Sequence, residues 1–252
     1  MDLLTRYRHA LAVAMLVALG APTGQAVDAP ADDRAIALSL AEMLRAARTV
    51  ISANQDLIND PSLGEKGLDP DIVLADAVEI YEERTGVDPL AVPVDTKHGR
   101  LLAAQREAIR AVMGQIQATI DSPGVGFKGL IPATFARLVN EEFGARVGSE
   151  AEIKVTAPPE LVRNRKAVPD PFEAEVIADH LETRDWERGQ PFEAETEAKG
   201  RSAYRVLVPE YYSASCLSCH GAPEGELDIT GYPKEGGELD QLGGVISVTL
   251  YH

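Results

Sequence analysis

The 252-residue chain carries 24 Lys and Arg against 40 Asp and Glu, a formal charge of −16 at pH 7. That balance disfavours electrostatic attraction to nucleic acid or to an anionic membrane surface. The length suffices for one large domain or two small ones, with a real apolar core.

At the N-terminus Arg6 and Arg8 precede the apolar run Ala10–Ala21, and the small-residue segment "PTGQA" ends at Ala26. This is the three-part layout of a secretory signal peptide. About a dozen apolar residues fall short of the roughly 20 needed to span a bilayer as a helix. The expectation is a leader over 1–26 and an exported, periplasmic mature chain whose charge is about −17 once Asp2, Arg6 and Arg8 are removed. No second apolar stretch is long enough to cross a membrane, so a signal sent to the cytoplasm would need a membrane-bound partner.

The next segment, "DDRAIALSLAEMLRAARTVISANQDLIN", sets Ile36, Leu40, Met43, Ala47, Val50 and Leu57 at helical spacing behind an acidic start. It predicts one long amphipathic helix, with Asn54 on the buried face. That amide either bonds to a loop or faces a cofactor. A turn-rich "NDPSLGEKGLDPD" follows, then a short helix "IVLADAVEIYEERTG" and the loop "VDPLAVPVD". From Gly99 to Asp121 a second stripe runs through Leu102, Ile109, Met113, Ile116 and Ile120. "PATFARLVNEEFG" reads as a helix opened by Pro132 and stopped at Gly144. A further helix is predicted around "PFEAEVIADHLETRDWERG", and three strands at "EIKVTAPPEL", "RSAYRVLVPEYY" and "LGGVISVTLYH". The sequence shows no internal repeat and no low-complexity tract.

Helices come first and strands late, without regular alternation, which predicts an α+β fold rather than a doubly wound parallel sheet. Gly124, Gly126 and Gly129 match the glycine spacing of a dinucleotide fingerprint. The fingerprint requires a preceding strand and a downstream acidic residue closing another strand, and the flanks here read as helices.

Both cysteines of the chain, Cys216 and Cys219, fall in "SASCLSCHGAPEG" with His220 directly after them. A chance occurrence is on the order of one in several thousand. Structural zinc needs four ligands and only three are clustered; His98, His180 or His252 would have to supply the fourth. A dithiol redox motif normally opens a helix in a strand-helix-strand unit, whereas this one leaves a strand into a Gly/Pro loop. Covalent haem attachment uses all three residues. Each thiol adds to one haem vinyl, and the histidine Nε2 becomes the proximal iron ligand.

The block "CLSCHGAPEGELDITGYPKEGGELDQLGGVISVTLY", with "AYRVLVPE" ahead of it, resembles the C-terminal half of a bacterial family of exported c-haem sensor domains. "FKGLIPATFARLVNEEFG", "LVRNRKAVPDPFEAEVIADHL" and "ARTVISANQDLIN" with "GEKG" are similar to its upstream segments. That family occurs as single-domain periplasmic proteins and as extracellular input modules of histidine kinases and chemoreceptors. The resemblance implies a PAS-like antiparallel sheet with long N-terminal helices and one haem c on Cys216, Cys219 and His220. It divides the chain into a helical region, 27–121, packed on a PAS-like haem domain, 122–252, the two forming one continuous structural domain. Some members supply a sixth iron ligand from a cysteine just before the helix that opens here at Pro132. This chain has Phe127 in that neighbourhood and no third cysteine, so thiolate ligation is excluded.

The group opposite His220 decides the chemistry. A strong sixth ligand suits electron transfer or redox sensing, and an open position admits NO, CO or O₂. His98, between a loop and a helix, and Met113, on an apolar stripe, are the distal candidates. His180 reads as a surface residue, and His252, at the end of the given sequence, as frayed. Arg163 and Arg165, with Lys166, form the one tight basic cluster and suit haem propionates, as do Tyr204 and Arg205 on the preceding strand. Trp186 is expected to cap the core at a helix end. Three function classes follow: a haem-c sensor or signal-input protein, which is favoured; a monohaem electron carrier; and a haem enzyme such as a peroxidase, for which no distal polar set is visible.

Overall fold

The computed structural model describes residues 30–252, so the leader expected over 1–26 lies outside the described residues. Helix α1 spans Pro30–Ala53 and α2 Gln55–Ile58, followed by α3 (Pro70–Thr85), α4 (Lys97–Ile120) and α5 (Pro132–Val147). Strand β1 (Ala151–Thr156) comes next, then α6 (Pro171–Val176), which runs on as a π-turn to Leu181. The chain ends with β2 (Phe192–Ala198), β3 (Arg201–Tyr211), the single turn α7 (Leu217–His220) and β4 (Leu242–Tyr251). The class is α+β, with one four-stranded antiparallel sheet in the order β1-β4-β3-β2.

The helices form where the apolar stripes fall. Ile36, Leu40, Met43, Ala47 and Val50 of α1 are all buried, as are Leu102, Ile109, Met113 and Ile120 of α4. Helix starts are chemically marked: the Asp69 side chain accepts from the amides of Asp71 and Ile72, and Pro70 takes the first helical position. Such a cap stabilises by about 1 kcal/mol. Helices α1 and α5 lie on one face of the sheet and α3 and α4 cover them from the other side. One apolar cluster runs from α1 through the helices to Val206, Val208, Ile246, Val248 and Leu250 of the sheet. The opposite sheet face carries Leu207 and Val245 against Val176, Ile177 and Leu181. The period of two along β3 and β4 assigns alternate residues to these two clusters.

Four expectations need correction. The long first helix breaks at Asn54, whose side chain turns back on its own helix as Nδ2 donates to Val50 O (2.9 Å). Helix α5 does not stop at Gly144 but continues to Val147, closed by Gly148 at φ 59°. The helix predicted around Pro171 ends at Leu181, and a strand that the sequence hid, β2, follows it. Its Glu193, Glu195 and Glu197 all face solvent on a sheet edge, and Phe192 and Thr196 alone carry the aromatic and β-branched signal of a strand.

The fourth correction is an internal repeat. "DPSLGEKGLDP" before α3 and "DSPGVGFKGLIP" before α5 are two copies of one loop, each joining a long helix to a shorter antiparallel one. Lys66 and Lys128 are both buried and both cap carbonyls of their own loop, Asp60 and Leu63 in one case and Ser122 in the other. Gly67 and Gly129 follow at φ 67° and 74°, Leu68 and Leu130 are buried, and Pro70 and Pro132 open the helices. The copies clasp each other reciprocally. Asn59 Oδ1 accepts from Lys128 N and Asp121 Oδ1 from Lys66 N, both at 3.0 Å. Residues Gly124, Gly126 and Gly129 thus belong to this clasp, between two helices, and not to a strand-helix nucleotide turn.

Candidate functional site

Strands β3 and β4 are hydrogen-bonded neighbours, yet residues 212–241 separate them in sequence. The excursion leaves and returns at one point, where Tyr212 N donates to Gln241 O and Asp240 N to Tyr212 O, both at 2.9 Å. Just inside it lies the "CLSCH" turn. His220 N and Cys219 N donate to Cys216 O at 3.0 and 3.1 Å, so Cys216 and His220 share one face of a single helical turn. Both cysteines are free thiols and half-buried. The turn sits beside the C-terminal end of α1, where Ser52 Oγ meets Ser215 Oγ at 3.3 Å. The clasped loops end nearby, as Gln55 Nε2 donates to Leu130 O at 3.0 Å and Phe127 is left partly exposed.

The imidazole of His220 is held on one side. Its Nδ1 lies 3.0 Å from Glu235 Oε2, and the Tyr212 ring stacks on it with centroids 5.0 Å apart and planes at 21°. The Tyr212 hydroxyl stands farther off, 3.4 Å from Nδ1. Glu235 is in turn gripped by Arg163, through Nε to Oε1 at 2.6 Å and Nη2 to Oε2 at 2.8 Å. The same guanidinium reaches Asp228 Oδ2 at 2.7 Å and donates to Cys219 O at 2.9 Å. Gly237 N donates to His220 O at 2.7 Å. Two glycines make room for the tyrosine: a Cβ at Gly237 would stand 2.6 Å from its ring, and one at Gly243 only 2.2 Å.

Burial, aided by the Arg163 cation, pushes the His220 imidazole below its ordinary value. The ring is therefore neutral near pH 7, which is the metal-ligating form, with Nδ1–H donating to Glu235 and Nε2 left for a ligand. Burial pulls the Glu235 carboxyl up, but the Arg163 hydrogen bonds and His220 outweigh it and hold the group below the usual range. Asp228 is held down at about 2: burial opposes this, and the Thr230 and Tyr232 amides, the Thr230 hydroxyl and Arg163 prevail. Burial raises the Tyr212 phenol to about 12. Two thiols three apart, a neutral imidazole with one nitrogen already oriented, and the shared helical face fit the donor set of a covalently attached haem.

Of the remaining sequence candidates, Arg163 is brought to the motif, but its guanidinium is spent on Glu235, Asp228 and Cys219 rather than left for propionates. The others lie elsewhere. Arg165 is exposed on the far stretch of the same loop, and Lys166 pairs with Glu141 of α5. Tyr204 and Arg205 sit near the start of β3, roughly 20 Å of strand from the motif. Tyr204 faces the helices and bonds to Glu193, and Arg205, on the opposite face, pairs with Asp170 and Glu173 over the Phe172 ring. Asn54 lines a groove with Asp76, Glu79 and Glu83 of α3.

Both distal candidates lie on α4. His98 follows Lys97, which bonds to Asp33 at the opposite end of α1, about 28 Å of helix from Ser52. Met113 is completely buried among the helices. His252 is not frayed: its Nε2 lies 3.3 Å from Asp33 Oδ2 and its backbone bonds to Ser202. His180 is not a free surface residue but packs on Phe192 and Trp186, at 4.7 and 5.4 Å, and Trp186 borders the smaller apolar cluster. No His, Cys, Asp and Glu cluster of three or more is arranged for a metal ion among the described residues, so the zinc alternative lacks its fourth ligand. Sequence reasoning missed Glu235, Asp228 and Tyr212. Only "EGGEL" around Glu235, a carboxylate between glycine turns, marked any of them.

Comparison with curated proteins and with solved structures gives no match. Residues 31–250 match the family model described as Tll0287-like, and the chain belongs to the Tll0287-like family.

Proposed function

We propose that the chain is an exported, PAS-like sensor module that carries one haem c, attached through Cys216 and Cys219 with His220 as proximal ligand. The observation that carries this reading is the oriented His220 ring, whose Nδ1 is engaged by Glu235 beside two free thiols. A bound haem supplies an iron that changes oxidation state or takes a diatomic ligand. The chain's own residues fix the imidazole, keep it neutral and hold the attachment turn against the sheet. Membership of the Tll0287-like family, together with the resemblance to c-haem sensor domains, supports a signal-input role rather than catalysis. The strand order β1-β4-β3-β2 suits the PAS-like reading.

The remoteness of His98 and the burial of Met113 in the helical core favour an open sixth position and therefore NO, CO or O₂ as the signal. No helix among the described residues is long and apolar enough to cross a membrane, and a membrane-bound partner would receive the output. The second reading is a monohaem electron carrier, for which the charge of −16 suits docking on a basic redox partner.

The test is expression of the full chain with haem-attachment machinery. A haem band that survives denaturing electrophoresis is expected, and it should vanish in the Cys216→Ala, Cys219→Ala double variant. Persistence of the band in that variant would refute the assignment. A ferrous spectrum that shifts under CO supports gas sensing, and one that stays six-coordinate moves the function to electron transfer. N-terminal sequencing of periplasmic protein should begin at Val27.

A further inference from the structure

We infer that Glu235 is a positioning residue for the proximal imidazole: its carboxylate, steadied by Arg163, draws on the His220 Nδ1 proton and so stabilises the ferric state of a bound haem. This rests on the haem reading above and adds a device that sets the iron's potential.

A carboxylate acceptor makes the opposite nitrogen a stronger electron donor than a neutral carbonyl acceptor would, because the ring acquires anionic character. Greater donation favours the higher oxidation state. At 3.0 Å the Glu235 contact is within hydrogen-bond range, and the Tyr212 hydroxyl at 3.4 Å is the weaker competitor for the same proton. The carboxylate is also built in rather than incidental. Arg163 holds both of its oxygens, and Asp228 and Cys219 O fix Arg163 in turn. The arginine has a second consequence. By sharing the negative charge it weakens the pull on Nδ1–H, so the pair acts as an accelerator and a brake on the same bond.

The two residues therefore have opposite signatures. In the haem-loaded full chain, Glu235→Gln keeps an acceptor of similar shape but removes the charge. The ferrous form should gain at least tenfold, a rise of about 59 mV in the one-electron midpoint potential. The iron–histidine stretching frequency of the ferrous protein should fall with it. Arg163→Gln releases the carboxylate and should lower the potential, while Tyr212→Phe should leave it near wild type. A general loosening of the proximal pocket would move the first two variants in the same direction.

If wild-type protein carries covalent haem and Glu235→Gln leaves both potential and stretching frequency unchanged, the inference is wrong while the haem assignment stands. Should Glu235→Gln fail to accumulate, a rise in potential with Arg163→Gln overturns the inference and a fall supports it. Wild-type protein without covalent haem defeats the underlying assignment itself, and the inference with it.

Discussion

Replacing Gly243 with alanine tests how tightly the Tyr212 ring is seated. Gly243 is the extra residue of a β-bulge, since Glu210 pairs with Gly244 and Tyr211 with Leu242. An added Cβ would stand 2.2, 2.4 and 2.7 Å from Cε1, Cδ1 and Cζ of Tyr212, where carbon atoms settle at about 3.5–4.0 Å. The ring must retreat by roughly 1 Å or more, yet Gly237 closes on its other edge and His220 on its face. Overpacking of this kind costs about 2 kcal/mol, and for a chain of this size a loss of that order lowers Tm by roughly 4–8 °C. Urea and thermal unfolding followed by far-ultraviolet circular dichroism measure it. In a Tyr212→Ala background the obstacle is gone, so Gly243→Ala should cost under about 0.5 kcal/mol and the cycle should show a coupling of about 1.5 kcal/mol. Equal penalties in both backgrounds, or none in the wild type, would refute the packing account.

Glu210 bridges β3 to Arg45 and Arg48 of α1, near the turn that carries Cys216, and burial alone would raise its carboxyl, but the two arginines hold it below its ordinary value. Glu210→Ala should lose about 2 kcal/mol in urea unfolding, less than a fully buried pair because both guanidinium groups keep some water. Asp228, with a fully buried side chain and a folded value of about 2, stabilises the fold fully above its unfolded value near 4. That contribution disappears as pH falls through about 2, and Asp228→Asn should flatten the stability profile between those limits; an unchanged acid limb would contradict the Arg163–Asp228 pairing. Asn59→Ala and Asp121→Ala should each destabilise by about 1 kcal/mol, leaving one buried amide without its acceptor. Hydrogen exchange at Lys128 N and Lys66 N, respectively, reads out which half of the clasp has opened.

What could be read from the chain depended on how far apart the cooperating residues lie. The α1 stripe from Ile36 to Val50 repeats within one turn of itself, so its burial is visible locally. Cys216, Cys219 and His220 likewise stand out as a motif because they fall within five residues of one another. Glu235 lies fifteen positions beyond His220, and Arg163 comes from a loop before β2, so their meeting depends on how the excursion and that loop fold together. Strand β2 was obscured because its glutamates suit a sheet edge for reasons of solubility and not of propensity. The repeat is faint because it spans only twelve positions, 59–70 and 121–132, which align without a gap but differ at half of them. Helical spacing shows which face His98 takes, but not that its end of α4 lies against the start of α1, far from Ser52, and Met113 on its stripe is part of the helical core.

The closed neck at Tyr212 and Gln241 makes the 212–241 excursion a detachable cassette. Because entry and exit are paired with each other, the β3–β4 ladder is complete without anything beyond the neck. A single backbone cut between Glu224 and Leu227, on the exposed part of the excursion, would leave two fragments that stay associated through the intact sheet. The same separation frees the cassette to lengthen or change its side chains without shifting a strand, so the surroundings of His220 can drift while the sheet stays in register.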